Sequence, residues 1–520
     1  MTGAGELIIG LDAGTSVIKA VAFDTAGRQV AVAARPNVYD QRPGGVAEQD
    51  MARTWTTAAE VLRLLGEEVP DLPRRTAALA VTGQGDGTWL IDEKGEPVAP
   101  GWLWLDSRAA GIVDELERSG ARRAAWRYTG CGLNACQQNA HLLWLRRHQP
   151  ETLARAATAF HCKDWLHLQL TGVRATDRSE GTFTFGDFRT REYADEVLDA
   201  LGLADLRHLL PPMLDGSTTT HPLTDEAAAA TGLRAGTPVA LGFLDVVCTA
   251  LGAGIYDAER RVGCSIVGST GMHMRFQPDA GQVELAPVPS GYTMPFPVPG
   301  SVVQMQSNMA ATINVDWITD RVREAASLFG VEAGRSEALK LLDGRVLDGR
   351  PGAALYHPYI LEAGERGPFV DSDARAMFSG LSNRVGLLDL VRAVYEGLAF
   401  AARDCYAAMG HVPEEIRIAG GAARSRAFKK IMASTLGVPL RESSREEAGA
   451  AGAAMMAACA IGMHPDMASC AASWVTPTLG DTVAPDPELE TLYDRLFPVY
   501  RATREAMPGV WRQLAAVERP

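Results

Sequence analysis

Three aspartates follow apolar runs and sit beside glycines: Asp12 in Leu11-Asp12-Ala13-Gly14, Asp86 in Gly83-Gln84-Gly85-Asp86-Gly87, and Asp245 in Gly242-Phe243-Leu244-Asp245. Open α/β sheets collect ligands at such strand ends. Phosphoryl transfer to a hydroxyl needs a carboxylate near that hydroxyl and a metal-bound phosphate in line with it. Asp245 is bracketed by apolar residues, where burial raises a carboxyl pKa towards the working range of a general base. A helix N-cap is the competing reading. Asp12 is placed to hold a divalent cation, and the small residues Gly14, Thr15 and Ser16 let backbone N–H groups approach an anion. A plain turn aspartate is the alternative there.

These residues need positioning elements. Residues 7–11, 17–23 and 29–33 read as strands, the last two joined by the turn at 24–28. A helix near 50–65 precedes a buried strand at 77–81. The design restarts in the second half. Residues 238–242 lead into Asp245, and residues 261–271 repeat the strand, Gly-Ser-Thr-Gly turn, strand arrangement. The apolar spacing at Leu387, Leu390, Val391, Val394 and Leu398 predicts a long helix. Residues 416–422 form a strand entering a glycine turn, and Gly437 stops the helix that follows it.

No G-x-x-x-x-G-K-[S/T] loop and no complete G-x-G-x-x-G occurs. Glycine turns at 13–16, 268–271 and 420–422 remain, divided between two lobes, and suggest a nucleotide clamped between them. The weak two-fold echo predicts an N-terminal lobe over residues 1–254, a C-terminal lobe over 255–480 and a peripheral helical tail over 481–520.

The 520 residues are too many for one core. A net charge of −13 disfavours nucleic acid and anionic membranes as partners. The uncharged run from Ala448 to Met463 is shorter than a membrane span and predicts a closely packed internal helix. Residues 1–6 lack the features of a signal peptide. Eight cysteines without a C-x-x-C pair fit buried free thiols in a cytoplasmic protein.

Taken in order and spacing, these pieces resemble the FGGY family of carbohydrate kinases over roughly residues 7 to 480. They are Gly10-Leu11-Asp12-Ala13-Gly14-Thr15-Ser16, Thr82-Gly83-Gln84-Gly85-Asp86-Gly87, Trp104-Leu105-Asp106-Ser107-Arg108, Lys163-Asp164-Trp165-Leu166, Gly268-Ser269-Thr270-Gly271, Gly364-Glu365-Arg366-Gly367-Pro368, Gly420-Gly421-Ala422 and Glu447-Ala448-Gly449. The resemblance implies an α/β, two-lobe actin/Hsp70-like (ribonuclease H-like) ATPase fold with a nucleotide cleft between the lobes. It also implies ATP and Mg²⁺, with Asp12 holding the metal and Asp245 as the general base. Gly14, Thr15 and Ser16 would belong to the first phosphate turn, with Ser16 and Lys19 facing the transferred phosphoryl group. Gly268, Thr270 and Gly271 would contact the nucleotide phosphates, and Gly420, Gly421 and Ser425 would line its adenosine end.

On the acceptor side the expected contacts are Gln84, Gly85, Asp86, Asn134, Gln137 and Asp245. Gly85 stands where other members carry a long side chain, so an enlarged pocket is expected. Asp86 and neighbouring amides suit a neutral polyhydroxylated ligand. The 82–90 loop resembles members acting on erythritol and on L-xylulose. The segments at 161–166 and 182–188 favour erythritol, so the expected reaction is phosphorylation of a terminal hydroxyl of erythritol. L-xylulose or another pentulose is the alternative substrate, and a non-catalytic actin-like ATP-binding regulator the alternative of another class. A homodimer is compatible with the sequence.

Overall fold

A computed structural model describes residues 5–518; the first four of the six residues read for a leader lie outside them. Leu7–Ala13 (β1), Val17–Asp24 (β2) and Gln29–Pro36 (β3) form an antiparallel meander. The β2–β3 turn closes on Asp24, whose Oδ1 accepts from Ala26 N and Arg28 N. Met51–Glu68 (α1) starts on Asp50, whose side chain accepts from Arg53 N. Thr76–Gly83 (β4) then pairs in parallel with β1. Two buried helices, Cys162–Thr171 (α2) and Arg178–Phe185 (α3), precede His221–Pro222 (β5) and Pro238–Leu241 (β6). The first sheet thus has the order β5-β6-β4-β1-β2-β3. Its central strand β1 is apolar and buried on both faces, as parallel neighbours covered by helices require.

Asp245–Ala253 (α4) leads to the second sheet. Val262–Val267 (β7), Gly271–Gln277 (β8), Tyr292–Pro295 (β9) and Val302–Asn308 (β10) pair antiparallel. After the 22-residue helix Leu387–Ala408 (α5), Glu415–Ala419 (β11) joins β7 in parallel. Arg426–Leu436 (α6), Leu440–Ser443 (β12), Ala448–Ala460 (α7) and Leu479–Val483 (β13) complete the lobe. The sheet order is β9-β10-β8-β7-β11-β12-β13. Each sheet therefore sets antiparallel strands beside parallel ones, which is the doubled ribonuclease H-like arrangement the sequence led us to expect.

Helices α4 and α7 cross at the centre with almost no side-chain bulk between them. A Cβ on Gly252 would fall 2.0 Å from Ala448 O, and one on Gly452 would fall 1.9 Å from Cys248 O. One apolar cluster runs from Ile8 and Ala240 through Ala450 and Met456 to Cys264 and Met274, so the two sheets share a core around this crossing. Pro487–Ala506 (α8) and Pro508–Glu518 (α9) end the described chain. They pack into the second lobe with Tyr493, Tyr500 and Trp511 buried. The eight cysteines are unpaired thiols, seven of them buried. No helix among the described residues is long and apolar enough to cross a membrane.

Candidate active site

A cavity of about 370 Å³ lies between the lobes. The first lobe contributes Thr15, Gln84, Gly85, Asp86, Asn134 and Asp245, and the second contributes Thr270, Met272, Tyr292 and Arg366. Asp245 opens α4 at its first position. Burial first, then the nearby charge of Asp12, raises its pKa to about 7. Asp86 lies at φ +53°, a region costly for a residue with a Cβ. Its Oδ2 accepts from Tyr292 Oη at 3.2 Å, while its Oδ1 is buried without a partner. Burial raises its pKa to about 6, against the hydrogen bond from Tyr292 and the charge of Arg366.

Both carboxylate loops rest on one buried ionic cluster. Lys163 Nζ lies 2.9 Å from Asp164, 2.7 Å from Asp177 and 2.6 Å from Glu180, and all four side chains are fully buried. Burial opposes the lysine's charge, but the three carboxylates hold its pKa well above the usual value. Glu180 Oε1 accepts from Asp86 N at 2.8 Å. Asp177 accepts from Ser179 Oγ, which accepts from Leu244 N at 3.0 Å, one residue before Asp245. A chain of polar groups lines the same cavity. Trp104 Nε1 donates to Thr15 Oγ1 at 2.7 Å, Thr15 Oγ1 to Gln84 Oε1 at 2.9 Å, and Gln84 Nε2 to Gln49 Oε1 at 2.9 Å.

Asp12 and Lys19 face each other across the β1–β2 hairpin. Lys19 Nζ binds both oxygens of Glu447, at 3.0 and 2.8 Å, just ahead of α7. Burial raises the Asp12 pKa to about 6, with Lys19 opposing and Glu447 adding to the shift. Gly14 O accepts from Asn37 Nδ2, and Ser16 is exposed at the hairpin tip. Because β7 and β11 are parallel neighbours, the turns that leave them lie side by side. A Cβ on Gly420 would meet Val267 O at 2.6 Å. Gly268 and Gly421 face open space, and Gly268 O anchors Thr312 Oγ1 at 2.8 Å. Gly271 is buried where β8 begins.

Three expectations change. A Cβ on Gly85 would lie 1.8 Å from Leu244 Cδ1 and 2.9 Å from Glu180 Oε1. The missing side chain is therefore replaced by Leu244 and Glu180, and it opens no extra room. Gln137 is not at the cavity wall: its amide donates to Gly132 O and accepts from Asn134 N, tying the 132–137 loop together. Ser425 is the N-cap of α6, accepting from Phe428 N, and donates to Asp343 at 2.5 Å, so its hydroxyl is already committed. The Thr15 hydroxyl is likewise engaged on the acceptor side, which leaves only its backbone for a phosphate.

Lys163, Glu180, Tyr292, Arg366 and Glu447 were missed as site residues. A lysine inside the apolar helix α2 is a detectable signal for the buried cluster. Tyr292 carries none, because its partners Asp86 and Asn134 are remote in sequence.

The N-terminal domain of the FGGY family of carbohydrate kinases matches residues 7–252, and its C-terminal domain matches residues 263–461. The chain is 53% identical over 99% of both chains to the erythritol kinase of Brucella abortus. It is 26% identical to the L-xylulose/3-keto-L-gulonate kinase of Escherichia coli, over 96% of this chain and 97% of that one. The gluconate kinase structure from Lactobacillus acidophilus superposes with a TM-score of 0.88, covering 98% of this chain and 100% of that one at 22% identity, a likeness of fold.

Proposed function

The chain belongs to the FGGY family of carbohydrate kinases, and from that premise we propose that it phosphorylates a terminal hydroxyl of erythritol with ATP as donor. The observation that carries this reading is the full-length likeness to the Brucella abortus erythritol kinase, at about twice the identity of the L-xylulose/3-keto-L-gulonate kinase. The cavity supplies the chemistry. Asp86 accepts hydrogen bonds from inner hydroxyls, and Asn134 and Trp104 line the same wall. Asp245 takes the proton of the reacting hydroxyl as its oxygen bonds to the γ-phosphorus. The bond from that phosphorus to the β–γ bridging oxygen breaks, and ADP leaves with the electron pair. The Gly268–Gly271 and Gly420–Gly421 turns receive the nucleotide, with backbone N–H groups in place of cationic loops.

Asp12 fits a magnesium site. Its carboxylate is a hard oxygen donor that accepts no hydrogen bond among the described residues, Lys19 being bonded to Glu447 instead. No cluster of three or more His, Cys, Asp or Glu side chains that could hold a metal occurs among those residues. Mg²⁺ is ordinarily held by one or two carboxylates plus phosphates and waters. When bound it neutralises charge on the phosphates. The unpaired thiols support a reducing, cytoplasmic setting.

Coupled ADP-release assays over C3–C6 polyols and ketoses test the substrate. Erythritol is expected to have the highest kcat/KM, ahead of glycerol and D-xylulose. A higher value for L-xylulose or another pentulose would move the assignment to a pentulose kinase.

A further inference from the structure

Among the second-lobe side chains that line the cavity, Tyr292 is hydrogen-bonded to Asp86. Tyr292 opens the edge strand β9, and its ring packs edge-on against Phe183 of the first lobe, with centroids 5.5 Å apart. Its hydroxyl donates to Asp86 Oδ2 at 3.2 Å and accepts from Asn134 Nδ2 at 2.8 Å. Backbone and thiol contacts fix this reach. Gly132 N donates to Gly291 O at 2.7 Å, Thr293 N to Cys131 Sγ at 3.3 Å, and Cys131 Sγ to Thr293 O at 3.4 Å. The other oxygen of Asp86 is buried and has no partner, in a residue that lines the cavity.

We propose that Tyr292 is an acceptor-selecting residue lent by the second lobe, which occupies Asp86 Oδ2 and so leaves Oδ1 as the oxygen that a polyol hydroxyl meets. The assignment rests on the polyol-kinase reading above. Bonding from Tyr292 favours the ionised carboxylate, which burial disfavours. The other groups around Asp86 are the Cys136 thiol at 3.8 Å, the Arg366 guanidinium, the Cys131 thiol and the Asp245 carboxylate, with Glu180 on its amide. Of these, Tyr292, Arg366 and Cys136 lower the Asp86 pKa. Losing the tyrosine hydroxyl therefore leaves Asp86 protonated to higher pH, as a weaker acceptor for a hydroxyl donor.

Tyr292→Phe in the full-length enzyme keeps the ring against Phe183 and removes only the hydroxyl. Steady-state kinetics with erythritol should show KM raised about tenfold, the usual size of one lost hydrogen bond to a charged group. The values of kcat and of KM for Mg-ATP should stay within about twofold. The acidic limb of kcat/KM for erythritol should move to higher pH, which a packing role does not predict. Asn134→Ala, which removes the donor holding the same hydroxyl, should move the limb in the same direction by less, and that limb, which loss of a direct polyol contact would not move, decides the matter if Tyr292→Phe does not fold. An active wild type with an unchanged KM and limb in these variants would overturn the role of Tyr292 alone. A wild type inactive on erythritol and on every other polyol would instead overturn the parent reading.

Discussion

Asp245 is the residue whose chemistry and stability pull in opposite directions. Its pKa of about 7 places a base near neutrality, so turnover should rise with pH through an apparent pKa near 7. Asp245→Asn keeps the shape and loses the proton acceptor, and kcat should fall roughly 10²–10⁴-fold. The same pKa is raised above its unfolded value, so the folded state holds a proton that the unfolded state has released. Stability from that proton is full below pH 4 and is lost as pH rises through 7. The asparagine has no such loss. Its melting temperature should exceed that of wild type by about 1–3 °C at pH 8, with a smaller margin at pH 5, read by calorimetry at both values. A variant that turns over normally would remove Asp245 from the base role. The place of Asp245 at the cavity was legible because an apolar bracket around a carboxylate is unfavourable without a purpose. Gly85 was misread because what replaces an absent side chain depends on Leu244 and Glu180, which only the fold brings there.

At the scale of elements, α2 and α3 carry the ionic cluster that holds two loops from elsewhere. Glu180 holds the Asp86 amide, and Asp177 acts through Ser179 on the Leu244 amide. Lys163→Met would leave Asp164, Asp177 and Glu180 buried without their cation. Removing one partner of a buried ion pair costs about 3–5 kcal/mol, so a marked drop in melting temperature and soluble yield is expected. Activity lost from the remaining folded protein should appear in both acceptor KM and kcat, since both loops lose their support. A melting temperature within about 2 °C of wild type would show that the cluster is not the support it resembles. Long elements were readable because their apolar runs or 3.6-residue spacing are local: residues 7–11 became Leu7–Ala13, and the uncharged run from Ala448 became α7. Strand β9 was not, because four residues containing Tyr and Pro declare no period, and their pairing with β10 is fixed from outside.

At the scale of the molecule, the repeated strand-turn-strand pattern made the two lobes legible, but not how they are joined. The shared core around α4 and α7 fastens the two sheets together, and the Gly252 and Gly452 contacts leave that crossing no room to slide. Any closure must therefore pivot about the helix pair and narrow the cavity that Asp245, at the head of α4, lines. Among the contacts that span the cavity or its rim are the Tyr292–Asp86 hydrogen bond, and the Lys19–Glu447 ion pair between the first hairpin and a residue from the second half of the chain. Lys19 keeps 36% of its side chain exposed, so a phosphate entering beside it competes with Glu447 for the ammonium in partly screened surroundings. Closure on both substrates would exclude water and limit idle ATP hydrolysis. Small-angle scattering should show a radius of gyration near 24 Å without ligands, smaller by about 2–4% with a non-hydrolysable ATP analogue plus erythritol. The analogue alone should produce less of the change, because the acceptor carboxylate belongs to one lobe and the tyrosine that touches it to the other. An identical radius in all three conditions would mean that the shared core locks the lobes in place, and that water is kept out by side chains rather than by closure.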